Sequence, residues 1–206
     1  MMKRVILVSL LVLGTVLNVP AADWSEISQR VGRSVVWAQV GEGGGCTAWI
    51  ISQERHYLLT AAHCYPGSTG VLWVDGVLAK VVLLDSKRDL MVVEAKDIDP
   101  TKTALKLAAQ NPIIGQEVMS IGYGYALERP FFRQAHVQDD RMVLPGVEGG
   151  PFISTDSPFV PGQSGGPVID IAGNVVAIVQ RGDGGTTGLG VGAETMLARV
   201  GRFFGK

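Results

Sequence analysis

The sequence predicts an all-β protein in which short strands form two successive sets. Short β-rich segments recur along the chain and are separated by turn signals, a pattern typical of small barrels or sandwiches. The 206 residues include 27 glycines, which suits a chain with many tight turns. In the last part of the chain the apolar residues instead recur at helical spacing. We therefore expect two small barrels or sandwiches followed by a helix.

The first set begins after a short predicted helix at residues 25–33, with Ser25 as its N-cap. Strands are expected at 35–40, 47–52, 57–60, 71–74, 77–84 and 90–94. Asp75 and Gly76 stand between two of these segments and form a strong signal for a two-residue hairpin.

The second set follows a segment at 97–112 that has few β signals and reads as a connector. Strands are expected at 117–123, 133–137, 142–144, 151–155, 167–171, 175–180 and 188–191. From 193 to 204 apolar residues recur at helical spacing, which predicts a C-terminal amphipathic helix that packs on the strands.

The N-terminus has the pattern of a signal peptide. Lys3 and Arg4 precede an apolar run at 5–19, and Val19 and Ala21 occupy the small-residue positions of a cleavage site. We expect residues 1–21 to be removed and the chain to be secreted or periplasmic. The alternative is a retained N-terminal anchor, and in that case alone we expect contact with a membrane.

Composition and cysteine content narrow the classes of partner. The formal net charge is −1, so nothing indicates binding to nucleic acid or anionic lipid. Cys46 and Cys64 are the two cysteines of the chain, and in an exported protein such a pair usually forms a disulfide. The alternative is two free buried thiols. Two cysteines without clustered histidines do not suggest a structural zinc site, and we expect no metal and no cofactor.

Ser164 is the first candidate for chemistry. It lies in the segment PGQSGGP, residues 161–167. A reactive serine needs an exposed hydroxyl and nearby backbone N–H groups that can bind an oxyanion. Flanking glycines permit both, because they adopt unusual dihedral angles and let the substrate approach the backbone. An ordinary glycine-rich turn is the alternative.

His63 is the second candidate. It follows the predicted strand at 57–60 within the segment TAAHC. An imidazole titrates near neutral pH, so it can accept the serine proton and return it to a leaving amine. His56 and His136 are expected to be structural or surface residues.

Asp89 is the third candidate, in the segment DLMVV. An acid that immediately precedes an apolar strand can be partly buried and can orient an imidazole through Nδ1. Asp85 competes with it but is expected to support a turn through its side chain.

The order His63, Asp89, Ser164 within TAAHC, DLMVV and GQSGGP resembles the chymotrypsin-like peptidase superfamily. The resemblance covers residue 35 to the C-terminal helix. It implies two antiparallel six-stranded β-barrels with the site between them, at about 35–108 and 113–192, followed by a helix at about 193–204. Together these form a peptidase domain at 35–206, preceded by a short segment at 22–34. It also implies that Cys46 bonds with Cys64 beside the histidine.

Within the superfamily the sequence is similar to the bacterial HtrA-type proteases. The similarity lies in FISTD before PGQSGG and in GQEV through IG at 115–122. We expect no PDZ domain after the helix. Gln163 stands where trypsins have an aspartate that pairs with a freed N-terminus, so activation by that route is not expected.

The resemblance also implies roles for residues around Ser164. The backbone N–H groups of Gly162 and Ser164 would form the oxyanion hole. The pocket for the side chain before the cut would have Pro158 at its base, beside Phe159 and Val160, with Gln180, Arg181 and Gly182 as the opposite wall. We expect cleavage of polypeptides after small or medium apolar residues. The alternative is that Arg181 folds inward and selects an acidic side chain.

Two other functions fit parts of the sequence. A non-catalytic binding module on a protease scaffold is one, because fold alone does not prove function. An esterase of the α/β-hydrolase fold is the other, although in that fold the serine precedes the acid and the histidine.

Overall fold

The computed structural model describes residues 23–41, 44–65, 67 and 71–205. The predicted signal peptide at 1–21 lies outside these residues. The described part contains thirteen strands and two α-helices. The helices are α1 (Trp24–Gly32) and α2 (Ala193–Val200). The strands are β1 (Val35–Val40), β2 (Gly44–Ser52), β3 (Tyr57–Thr60), β4 (Leu72–Val74), β5 (Val77–Leu78), β6 (Lys80–Asp85), β7 (Leu90–Glu94), β8 (Glu117–Gly122), β9 (Phe131–Met142), β10 (Phe152–Thr155), β11 (Pro167–Ile169), β12 (Val175–Gly182) and β13 (Gly188–Gly192).

The first half is a seven-stranded antiparallel sheet in the order β5-β4-β1-β2-β3-β7-β6. The hairpin at Asp75–Gly76 is confirmed: both residues have positive φ, at 52° and 77°, and Val74 pairs with Val77. The expected single strand at 77–84 is wrong in one respect, because the chain changes partner at Ala79. Before this residue β5 pairs with β4, and after it β6 pairs with β7. The first half therefore has seven strands in a curved sheet where six in a closed barrel were implied.

The second half is a closed six-stranded barrel in the order β10-β13-β12-β11-β8-β9. Strand β9 contains the strand expected at 133–137 and, of the strand expected at 142–144, Met142 alone. Its first part pairs with β8 and its later part pairs with β10, with register shifts in the second pairing. Because each part has its own partner, the polar residues at 138–141 do not interrupt the strand. The all-β class with two barrel-like halves and a C-terminal helix is confirmed.

Helix α1 begins one residue earlier than expected and has a different cap. The Asp23 carboxylate accepts a hydrogen bond from Ser25 N at 2.8 Å, so Asp23 and not Ser25 is the N-cap. A carboxylate at this position satisfies a free amide and also interacts well with the helix dipole. Ile27 and Val31 are the buried residues of this helix. Helix α2 continues as a 3₁₀ turn over Gly201–Phe203. Among the described residues, no helix has the length and apolar character needed to cross a membrane.

Three apolar clusters hold the molecule together. One lies within each half, and the largest lies between the halves. That central cluster joins Trp49 and Leu59 of the first sheet to Ile121 and Ile178 of the second barrel, and Met196 of α2 packs on it. Burial of apolar side chains from both halves makes their contact part of the core, so the surfaces that face each other are fixed in position.

Candidate active site

His63 lies in a short turn that two contacts hold in place. It is the middle residue of a 3₁₀ turn, Ala62–Cys64, which follows directly after β3. Cys46 of β2 and Cys64 form a disulfide, so the turn is covalently tied to the neighbouring strand. The disulfide expected from the sequence is therefore present. The His63 side chain remains 47% exposed, which leaves the imidazole accessible from the cleft described below.

Asp89 contacts His63 from the turn between β6 and β7. Its Oδ2 lies 2.8 Å from His63 Nδ1, and its Oδ1 accepts a hydrogen bond from His63 N at 2.8 Å. The Asp89 side chain is nearly buried, at 9% exposure. A carboxylate can only accept, so Nδ1 carries the proton and Nε2 is left with a free lone pair on the other side of the ring.

Ser164 comes from the second half, in the loop between β10 and β11. Its carbonyl accepts a hydrogen bond from Thr47 N at 2.8 Å, which fixes the loop against β2 of the first half. Its hydroxyl donates a long hydrogen bond to Gln180 O at 3.5 Å. Among the described residues no hydrogen bond joins Ser164 Oγ to His63, although both side chains line the same cleft.

Two backbone N–H groups beside Ser164 Oγ have no acceptor in the described part of the chain, those of Gly162 and Ser164. The carbonyl of the Pro161–Gly162 peptide accepts a hydrogen bond from Tyr125 N at 2.8 Å. In a trans peptide the N–H points opposite to the carbonyl, so this contact fixes the direction of the Gly162 N–H. Gly162 has φ of 94°, and a Cβ there would lie 2.4 Å from Tyr123 O, so a glycine is required.

The cleft that contains these groups has a volume of about 890 Å³. Five of the six predicted pocket residues line it: Phe159, Val160, Gln180, Arg181 and Gly182. Pro158 does not, which corrects the prediction. Its carbonyl accepts a hydrogen bond from Arg133 Nη1 at 2.8 Å, and this contact holds the residue at the strand behind the cleft.

Phe159 lines the cleft with a nearly buried side chain. The residue is 8% exposed and belongs to the apolar cluster of the second barrel. Its ring packs on Gly188, where a Cβ would lie 2.9 Å from the ring Cζ, and its carbonyl lies beside Gly182. The ring therefore fills space beside β12 and β13.

The competing candidates have other partners. Asp85 accepts hydrogen bonds from Arg88 N at 3.1 Å and from Arg199 Nε at 2.7 Å, so it does support the turn as expected. His136 pairs with Asp156 at 3.2 Å on an exposed surface. The ligand atoms of Cys46, His63 and Cys64 lie within 4.8 Å of one another. Because a metal ligand must be a thiolate and both sulfurs are in the disulfide, this group does not form a metal site.

Sequence reasoning missed Thr47, which makes two hydrogen bonds to the serine loop and one to Tyr123. Its N–H binds Ser164 O, and its Oγ1 donates to Gly162 O at 2.8 Å and accepts from Tyr123 N at 2.9 Å. Burial and the Asp75 carboxylate raise the pKa of Tyr123, so its phenol stays neutral as it packs edge-on against Trp37. Lys87 and the segment 146–148 also line the cleft and were not predicted. No local motif marks any of these residues.

Comparisons with known proteins bear on the family and the fold of the chain. The model of the trypsin-like peptidase domain matches residues 46–178. No curated protein matches the chain at the level of sequence. Among solved structures, the inactive form of the Rv3671c protease of M. tuberculosis superposes with a TM-score of 0.73 at 22% identity, covering 90% of this chain and 98% of that one.

Two further structures have the same fold. The HtrA-type protease AlgW with a tripeptide gives a TM-score of 0.72 at 21% identity, covering 87% of this chain and 64% of that one. A serine endoprotease from Yersinia pestis gives 0.68 at 22% identity, covering 88% and 65%. At these identities the similarity concerns the fold.

Proposed function

The chain belongs to the trypsin-like peptidase family and is a serine-type peptidase, and from this premise we propose that Ser164, His63 and Asp89 are its catalytic triad. The observation that carries the proposal is the pairing of His63 Nδ1 with the nearly buried Asp89 carboxylate at 2.8 Å, on the cleft that also contains Ser164. A serine hydroxyl is a weak nucleophile until an adjacent base accepts its proton, and a base oriented by a third group meets that need.

In the proposed mechanism the Ser164 hydroxyl rotates from Gln180 O towards His63 Nε2. Oγ attacks the scissile carbonyl while Nε2 takes the hydroxyl proton. The C–N bond then breaks, the same proton goes to the leaving amine, and an acyl-enzyme ester remains on Ser164. Water, deprotonated by His63, attacks this ester and releases the acid, and the proton returns to Oγ. Asp89 keeps the imidazole in the required tautomer and stabilises its cationic form.

The proposed oxyanion hole consists of the N–H groups of Gly162 and Ser164. Both lack an acceptor in the described residues, which supports this role because a donor already engaged elsewhere could not bind a developing charge. Donors fixed before the reaction stabilise the transition state without reorganising, and loss of one costs about 10²–10³ in rate.

We further propose that the enzyme cleaves polypeptides after small or medium apolar residues. The nearly buried Phe159 ring lines the cleft, which supports a pocket too short for a long side chain. Of the described acidic residues that line the cleft, Asp89 pairs with His63 and Glu148 lies outside the predicted pocket residues, so neither supports a preference for Lys or Arg. AlgW has been solved with a bound tripeptide, which agrees with a peptide as the ligand of this fold. The rival specificity is for an acidic side chain held by Arg181.

We also propose that the protein is exported, through the signal sequence at 1–21, to a secreted or periplasmic location. The Cys46–Cys64 disulfide supports this, because cytosolic thiols are normally kept reduced. An N-terminal anchor instead of a cleaved signal would leave the same domain on the outer side of the membrane.

The direct test is covalent labelling by a fluorophosphonate probe, which reacts with an activated serine. We expect the wild-type protein to be labelled and Ser164→Ala to be unlabelled, with loss of peptide hydrolysis and an unchanged circular dichroism spectrum. Ser25→Ala, at an exposed serine of α1, is the matched control and should be labelled normally. A folded wild-type protein that is not labelled would show that this chain is a binding module and not an active peptidase.

A further inference from the structure

The proposed triad is divided between the two halves of the molecule. His63 and Asp89 belong to the first sheet, whereas Ser164 belongs to the second barrel. The distance from His63 to Ser164 therefore depends on how the turn that carries Asp89 is held against the second half. We call residues 86–89, between β6 and β7, the acid turn.

The first contact across the halves is an ion pair at the start of the acid turn. The Asp85 carboxylate is 9% exposed, and its Oδ2 accepts a hydrogen bond from Arg199 Nε at 2.7 Å. Arg199 lies in the last turn of α2, a helix that packs on β12 and β13 of the second barrel and also contacts β7 of the first sheet. A nearly buried carboxylate needs such a partner, and the short charge-assisted bond has a defined direction.

The second contact comes from inside the acid turn. Arg88 Nη1 donates to Gly150 O, in the connection from β9 to β10 of the second barrel, at 2.7 Å. The backbone N–H of Arg88 donates to Asp85 Oδ1, so the residue that reaches Gly150 is also tied to the carboxylate that binds Arg199. Gly149 lies against the turn as well: a Cβ there would be 3.0 Å from Lys87 O.

The conformation of Asp89 makes such support necessary. Its φ is 57°, in the left-handed region that residues other than glycine seldom occupy. Strained backbone of this kind persists only where surrounding contacts determine it. The hydrogen bonds that His63 donates to Asp89 fix the carboxylate, but they lie within the first half and cannot set its position relative to Ser164.

We propose that Asp85, Arg88 and Arg199 form an interbarrel clamp that positions the acid turn, and through it His63, relative to Ser164. They are positioning residues, since none of them contacts the reacting atoms. The inference rests on the proposed roles of His63, Asp89 and Ser164. It assigns a catalytic consequence to contacts that would otherwise count only towards stability.

The test is Arg199→Gln, which removes the ion pair and keeps a long polar side chain. We expect kcat to fall by about tenfold with KM nearly unchanged, because displacement of a catalytic group affects the chemical step more than binding. The control is Arg141→Gln. Arg141 pairs with Glu194 at the other end of the same helix, at 3.1 Å and far along the chain from the acid turn. The Arg141→Gln variant should keep wild-type kcat.

Two further measurements separate positioning from stability. The proton between His63 Nδ1 and Asp89 gives a downfield NMR signal, which we expect to broaden or shift in Arg199→Gln and in Arg88→Gln. This signal can be recorded in a Ser164→Ala background, so it tests the clamp even if the proposed nucleophile is wrong. In a double-mutant cycle, the kcat of Asp85→Asn combined with Arg199→Gln should be no lower than the kcat of either single variant.

The clamp is overturned if folded Arg199→Gln and Arg88→Gln both lose thermal stability but keep wild-type kcat and an unaltered proton signal. It is also overturned if Arg141→Gln lowers kcat as much as Arg199→Gln does. Should Arg199→Gln fail to fold, Arg88→Gln decides the question alone, because it removes one donor to a carbonyl and leaves the ion pair intact.

Discussion

Gln163 offers a sharp test of how the proposed oxyanion hole is held. This residue lies between Gly162 and Ser164 and is fully buried. Its Oε1 accepts a hydrogen bond from Val160 N at 3.0 Å, which closes the loop that presents both N–H donors. Gln163→Met keeps the length and volume of the side chain but removes the acceptor, and the Val160 N–H is left without a partner.

Gln163→Met also removes the Nε2 donor, which lies 3.5 Å from Ser120 Oγ, so the size of the effect follows from two contacts. A hydrogen bond contributes about 0.5–1.5 kcal/mol net, so the two together contribute about 1–3 kcal/mol. At about 1.4 kcal/mol per factor of ten, the preference for the present loop conformation falls by about 5- to 150-fold. We therefore expect kcat to fall by about 5- to 150-fold.

The assay is steady-state hydrolysis of a peptide by wild type and Gln163→Met, with thermal unfolding followed in parallel. Gln116 provides a closely matched control, because its Oε1 likewise accepts from a backbone N–H three residues earlier, Ile113 N, at 3.1 Å. Gln116→Met removes the same kind of contact in an exposed loop and should not change kcat. Wild-type kcat in folded Gln163→Met would refute the reasoning.

Three other predictions concern the disulfide and the pocket. Replacing both Cys46 and Cys64 with Ala should lower the free energy of unfolding by about 3 kcal/mol, given a separation of 18 residues; an unchanged melting temperature would contradict this. Phe159→Ala should extend cleavage in a peptide library to larger apolar residues before the cut, and an unchanged profile would show that the ring does not limit the pocket. Arg181→Ala should leave the profile unchanged, whereas loss of cleavage after Glu or Asp would favour the rival specificity.

Local sequence signals predicted much of the fold. Strands β1, β3 and β7 begin and end where the residues indicated, and the Asp75–Gly76 turn has the expected positive φ angles. These features depend on residues within a few positions of one another. The change of partner at Ala79 and the continuity of β9 could not be predicted, because each depends on which distant strand offers free backbone groups.

The candidate site likewise has residues that local motifs identify and contacts that only the tertiary structure reveals. His63, Asp89 and Ser164 could be identified because each stands in a short motif. The misplacement of Pro158 arose because the position of the pocket base was taken from spacing along the chain, whereas the Arg133 contact behind it is a tertiary feature. The Asp85–Arg199 pair joins residues 114 positions apart, and no local pattern indicates it.

One strand of the first half connects the proposed base, His63, and the proposed nucleophile, Ser164. Neighbouring residues on a strand point to opposite sides, and Cys46 and Thr47 of β2 therefore face different halves of the molecule. Cys46 points into the first half, where its disulfide with Cys64 holds the turn of His63. Thr47 points to the second half, where it binds Ser164 O and Gly162 O. A change in the twist or register of β2 would therefore move His63 and the serine loop together. In contrast, the acid turn lies beyond β2 and β3, towards the edge of the sheet, so it needs separate attachment to the second half. This difference explains why the interbarrel clamp is found at the acid turn.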